Sequence, residues 1–189
     1  MTSERLITQD DRGTWEELYS GEEIHQRVKE LAGEISKDYK GKNLLVVGIL
    51  KGAFIFTADL IRELGEYLPD LEVDFMVISS YGKGEKSSKA PKIKLDLSID
   101  IAGRDVLVVE DLVDTGYSFK KLLGLLSIRD PKSLKTCAFL SKPDRREVDV
   151  PIDYLGFTIE DRWVEGYGPD SNEKGRWRKN IVAKVKKNL

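Results

Sequence analysis

Three carboxylates fall within five positions, Glu110, Asp111 and Asp114, and Thr115, Gly116 and Ser118 follow at once. These residue types suit two kinds of ligand. Carboxylates accept hydrogen bonds from hydroxyls and hold hard cations. A Thr-Gly-x-Ser turn offers hydroxyls and backbone N–H groups to a phosphate. Neighbouring acids repel the anion that such a turn attracts, so one simple ligand does not satisfy both. A ligand with a phosphate and vicinal hydroxyls does: Thr115, Gly116 and Ser118 hold the phosphate while Glu110 and Asp111 accept from a ribose. The residues point to a ribose 5-phosphate derivative.

Positioning these groups takes a strand and a helix. Val106–Val109, apolar and mostly β-branched, suits a strand buried on both faces, and Leu122, Leu123, Leu125 and Leu126 carry a helical stripe. A strand, polar loop and helix in that order put the loop at the carboxyl end of a parallel strand, where open α/β sheets bind ligands. Leu44–Ile49, Leu50-Lys51-Gly52 and Ala53–Leu64 repeat the arrangement, so the second loop opens at the same edge. Further strands are expected at Val73–Ser79, Ile93–Ile101, Leu134–Leu140 and Asp153–Ile159. Ser20-Gly-Glu-Glu23 is a capping box ahead of an apolar stripe from Ile24 to Ile35. Gly82–Pro91, rich in Gly, Ser and Lys, reads as a mobile loop. The fold class is α/β: a mainly parallel, Rossmann-like sheet with helices on both faces and a small hood. One domain, 1–189, is expected, with its core at about 20–157 and its hood built from N-terminal residues and about 158–189.

Val108–Gly116, Val-Val-Glu-Asp-Leu-Val-Asp-Thr-Gly, resembles the phosphoribosyl pyrophosphate motif of the type I phosphoribosyltransferases. From about residue 15 to about residue 182 the chain resembles their hypoxanthine–guanine branch. The resemblance implies transfer of ribose 5-phosphate from phosphoribosyl pyrophosphate to a 6-oxopurine. It assigns Asp114 as general base toward purine N7, and Glu110 and Asp111 to the ribose hydroxyls and a chelated Mg²⁺. Asp170 matches an acid that helps hold a second Mg²⁺ near the base. Lys51 and Gly52, in a loop that tends to contain a non-proline cis peptide and contacts the pyrophosphate through backbone groups, and Arg176 match pyrophosphate contacts; alone, the first two would read as a turn with a solvated lysine. Ser80 and Tyr81 match a lid over the site. Lys142, just past a strand, matches the residue that recognises the purine 6-oxygen. Trp163 would stack on the base, and Val164 would present backbone groups to its edge.

The chain also departs from the family pattern. Trp163 stands where Phe or Tyr is usual, Glu165 where an apolar residue is usual, Ser171 and Gly175 where Tyr is usual, and Arg178-Lys179 where Leu-Pro is usual. Glu165 adds a charge beside the base edge. The basic stretch from Lys174 to Lys187 is expected to be a solvated edge, and Asp144–Glu147 a solvated turn. The basic tail supports an alternative, a regulatory nucleotide- or RNA-binding module on the same fold. Transfer to a non-purine base is opposed by Lys142 and the Trp163–Asp170 segment.

Composition narrows the rest. With 40% hydrophobic and 34% charged residues the chain reads as soluble and globular, and a net charge of −2 argues against bulk nucleic-acid binding. The lone cysteine, Cys137, leaves no internal disulfide, and the lone histidine, His25, lies off its helix's apolar stripe. Met1–Arg12 is polar and no apolar run is long enough to span a membrane, so a cytoplasmic location is expected. The family resemblance implies a homodimer or homotetramer, with no membrane or nucleic-acid partner.

Overall fold

The computed structural model describes residues 6–79 and 92–185. Ser80, Tyr81 and the loop expected at Gly82–Pro91 lie outside the described residues. In chain order the strands are β1 (Ile7–Asp10), β2 (Gly13–Tyr19), β3 (Leu44–Leu50), β4 (Glu72–Ser79), β5 (Lys92–Leu95), β6 (Asp105–Val113), β7 (Ser133–Ser141), β8 (Tyr154–Thr158), β9 (Val164–Glu165) and β10 (Ile181–Lys184). The helices are α1 (Gly21–Tyr39), α2 (Phe54–Gly65) and α3 (Tyr117–Ser127).

Six strands form the main sheet in the order β5-β4-β3-β6-β7-β8, parallel throughout except for antiparallel β5. Its central strands are apolar on both pleat faces because both are covered. Leu107 and Val109 of β6 face a core shared with Ile24, Leu31 and Ile35 of α1 and Phe56 and Leu60 of α2. Val106 and Val108 face the opposite core, with Phe119, Leu122 and Leu126 of α3. Ser20 caps α1 as expected: its Oγ accepts from Glu23 N at 3.3 Å, and Glu23 Oε2 accepts from Ser20 N at 2.8 Å.

This strand order dictates where a ligand sits. From β3 the chain crosses through α2 to β4 on one side, and from β6 it crosses through α3 to β7 on the other. The connections diverge between adjacent β3 and β6, which opens a crevice at their carboxyl ends. The two loops singled out in the sequence flank that crevice.

A second, four-stranded sheet has the order β1-β2-β10-β9 and is antiparallel throughout. Its hairpin, β1–β2, shows no clear pattern in the sequence because β1 is short and polar, and β2 buries only Trp15 of its seven residues. Two expected boundaries also move. The strand expected at Ile93–Ile101 ends at Leu95, with Ile101 buried in a following loop. β6 runs on through Glu110 and Asp111 to Val113, so the first two acids belong to a strand end rather than to a loop.

Candidate active site

The crevice between β3 and β6 holds a cavity of about 260 Å³. Gly52, Glu110, Asp111, Asp114, Thr115, Gly116 and Ser118 line it, so most of the residues expected to bind ribose, phosphate and pyrophosphate meet in one place. At its phosphate end, Gly116 takes φ +91°, and α3 begins with neither a capping side chain nor an acid in its first turn. Unsatisfied N–H groups at such an end suit an anion. The turn is braced from behind: Thr115 O accepts from Glu147 N at 3.0 Å and from Val148 N at 3.2 Å. A Cβ on Gly116 would come within 2.7 Å of Val148 O.

At the acidic end, burial raises the Glu110 carboxyl well above its usual range, and the Asp111 charge beside it raises it further. Burial raises Asp111 as well, against a hydrogen bond from Glu110 and the Arg176 charge, which lower it. Two neighbouring carboxyls shielded from water want a cation or hydroxyl donors. That environment fits Mg²⁺ or a ribose diol. Among the described residues no three metal-ligating side chains converge, so Asp170 does not join this pair in one cage. Mg²⁺ needs no such cage, because it commonly keeps waters and takes substrate oxygens.

The pyrophosphate loop lies against these acids. The Leu50–Lys51 peptide is cis, the isomer the resemblance implies. A Cβ on Gly52 would collide with the Asp111 carboxylate, and one on Gly168 with Gly52 O. Loop 50–52 is thus sandwiched between β6 and the segment after β9. On that segment Arg176 Nη2 lies 2.7 Å from Asp170 Oδ1, and its Nη1 donates to Gly168 O at 2.9 Å.

The turn expected at Asp144–Glu147 is exposed, apart from half-buried Arg146, and it reaches the candidate base. Pro143–Arg145 forms a 3₁₀ turn, and Arg145 Nε donates to Asp114 Oδ1 at 3.0 Å. Sequence reasoning missed this partner of the candidate base, because nothing in a run of charges tells which one folds back. Lys142 follows β7 and is only 6% exposed. Burial lowers its pKa, while the charges of Asp114 and Asp161 partly restore it.

The remaining base-site residues stand apart from the cavity. Trp163 is 58% exposed, donates from Nε1 to Ser171 Oγ at 3.2 Å, and flanks a second cavity of about 710 Å³ beside Asp10–Thr14 and Lys184. Val164 is buried in β9, in register with Ala183. Glu165 does not put a charge at the base edge: it is fully buried between Arg12 Nη1 at 2.6 Å and Arg178 Nε at 2.7 Å. Asp10 joins both guanidinium groups, and its Oδ1 accepts from Trp15 Nε1 at 3.0 Å. Glu165 and Arg178 therefore depart from the family pattern together, as partners in one buried cluster. Of the basic stretch expected to be solvated, Lys174, Lys179 and Lys184 are exposed as expected, whereas Arg176 and Arg178 are largely buried and paired.

Comparison with known proteins places this geometry. A family model described as "Phosphoribosyl transferase domain" matches residues 14–172. The chain belongs to the phosphoribosyltransferase family. A hypoxanthine-guanine phosphoribosyltransferase of Aquifex aeolicus is 49% identical over 160 residues, covering 84% of this chain and 88% of that one. A hypoxanthine phosphoribosyltransferase of Escherichia coli is 47% identical over 156 residues, covering 82% and 86%. Among solved structures, a hypoxanthine-guanine phosphoribosyltransferase of Bacillus anthracis superposes with a TM-score of 0.83 at 38% identity, covering 95% of this chain and all of that one. These relatives put this phosphoribosyltransferase in the hypoxanthine–guanine branch.

Proposed function

We infer that this phosphoribosyltransferase is a purine-salvage enzyme, which transfers ribose 5-phosphate from phosphoribosyl pyrophosphate to N9 of a 6-oxopurine and releases pyrophosphate. The observation that carries this reading is one crevice with an uncapped helix start at one end and two pKa-raised carboxyls at the other. A phosphorylated ribose meets both requirements.

In this reading Thr115, Gly116 and Ser118 hold the 5-phosphate, and Glu110 and Asp111 accept from the ribose hydroxyls. Mg²⁺, held by Glu110 and Asp111 and at a second position by Asp170, would neutralise charge on the pyrophosphate. Loop Lys51-Gly52 and Arg176 stabilise the negative charge that develops there as the glycosidic bond breaks. Lys142 donates to the 6-oxygen, Trp163 stacks on the base, Val164 meets its edge, and Asp114, held by Arg145, takes the proton from N7. Ser80 and Tyr81 belong to the lid. One domain, with its core at about 20–157, carries the chemistry, and the N-terminal hairpin with residues from about 158 onward forms the hood.

The RNA-binding alternative is weakened, because two cations of the basic stretch, Arg176 and Arg178, are spent on internal acids. No helix among the described residues is long and apolar enough to cross a membrane. The buried Cys137 thiol, its pKa raised by burial, suits a reducing cytoplasm, where we place the enzyme as a homodimer or homotetramer.

Steady-state turnover with phosphoribosyl pyrophosphate, Mg²⁺ and each of hypoxanthine, guanine, xanthine and adenine tests the reading. Turnover of a 6-oxopurine but not adenine is expected, and none with any base would sink it. Asp114→Asn should lower kcat about 10²–10⁴-fold, the range for losing general-base help; an unchanged kcat would remove Asp114 from that role.

A further inference from the structure

Residues Ser171–Lys174 make a tight two-residue turn, closed by Ser171 N to Lys174 O at 2.9 Å and Lys174 N to Ser171 O at 3.2 Å. Both central residues are left-handed, Asn172 at φ +53° and Glu173 at φ +63°. Turns of this kind favour Asn followed by Gly, because a side chain at the second position costs conformational energy. Glu173 occupies the place that backbone preference would give to glycine. Its side chain bridges two cations: Oε2 lies 3.1 Å from both Lys51 Nζ and Arg176 Nη2. Asp170 supports the same arrangement, accepting from Glu173 N at 2.7 Å through Oδ2 while Oδ1 pairs with Arg176. One carboxylate oxygen thus neutralises the cation of the cis-peptide loop and the cation of the hood at once. The Arg176 charge also reaches Asp111 on the cavity floor, so this network borders the crevice.

We propose that Glu173 is an internal stand-in for pyrophosphate, holding Lys51 and Arg176 in register while the site is empty and yielding them to the diphosphate when it binds. This rests on the assignment of the Lys51-Gly52 backbone and Arg176 to pyrophosphate, and adds the Lys51 ammonium to that site. Glu173 is a positioning residue, acting through the two cations rather than on the substrate. Its exchange keeps the cations from binding pyrophosphate too tightly and returns them to place as product leaves. Lys51 and Glu173 are 68% and 66% exposed as side chains, so the exchange is between screened, solvent-accessible pairs and its effect is modest.

Calorimetric titration of the whole protein with magnesium pyrophosphate tests it, with thermal melts to confirm folding. Glu173→Gln should tighten binding about 3–5-fold, the scale of exposed ion pairs. Glu173→Gly should do the same while relieving the turn, and the gain should shrink in a Lys51→Met background. Unchanged or weaker binding by both Glu173 variants, with binding lost in Arg176→Gln, overturns the stand-in and leaves the pyrophosphate assignment in place. If Arg176→Gln also binds as the unaltered protein does, the assignment of Arg176 to pyrophosphate itself falls.

Discussion

Lys142 carries a charge into a place that disfavours it. It is nearly buried, and desolvation lowers its pKa from the usual 10.5 despite the acids nearby. The ammonium form donates to a purine 6-oxygen and the amine form does so weakly. Base capture should therefore be intact below the lowered pKa and be lost as pH rises through it, before an ordinary lysine would titrate. The check is kcat/KM for the base against pH, alongside Lys142→Arg, whose guanidinium keeps its proton. An alkaline limb that stays put in Lys142→Arg would assign it to another group. Residue types and spacing made Glu110 and Asp111 legible in the sequence as partners for hydroxyls, and a strand end marked Lys142 as lying at the binding edge, whereas the roles given to Lys142 and Asp114 came from the family resemblance. Arg145 and Glu173 were not legible, since each finds its partner by a fold-back that no local pattern encodes.

At the scale of elements, β3, α2, β6 and α3 could be read because hydrophobic period and length decide them. β9 and β10 escaped notice because two and four residues carry too little period, and only the pairing of β10 with distant β2, and of β9 with β10, makes them strands. The contact between loop 50–52 and β6 is similarly tertiary. Gly52 is there for clearance, since its Cα faces the Asp111 carboxylate directly. Gly52→Ala should displace that carboxylate and weaken phosphoribosyl pyrophosphate binding about 10–100-fold, the cost of misplacing a site by around an ångström. Fold and melting temperature should change little, because the packed cores lie elsewhere. Direct binding of phosphoribosyl pyrophosphate to the variant decides it, and unaltered affinity would show that the acid has room to move.

Across the whole molecule, the ends of the described chain are joined by charge. Asp10 and Arg12 of the hairpin meet Glu165 of β9 and Arg178 ahead of β10. Burial pushes the Asp10 pKa up, but hydrogen bonds from Trp15 and Arg12 and the Arg12 charge outweigh it and hold the carboxyl at about 2, below its ordinary 3.8. A depressed carboxylate contributes stability that is present above its unfolded pKa and lost as pH falls through its folded one. Denaturation midpoints of the wild type and Asp10→Asn should differ at neutral pH and converge between pH 4 and pH 2. Parallel curves over that range would show that Asp10 does not anchor the hairpin.

The hood sheet also sets an order of events during synthesis. β2 is translated well over a hundred residues ahead of the strand it pairs with, β10. Until then one edge of β2 has no partner, and exposed edges are templates for mispairing. The doubly covered main sheet does not wait, because α1, α2, α3 and all six of its strands precede β9. On the ribosome the β6 acids, the Thr115–Ser118 turn and Lys142 can be in place while Trp163, Val164 and Arg176 are still unmade. In the proposed assignment, a nascent chain then meets the activated sugar before the acceptor has a ring to stack on.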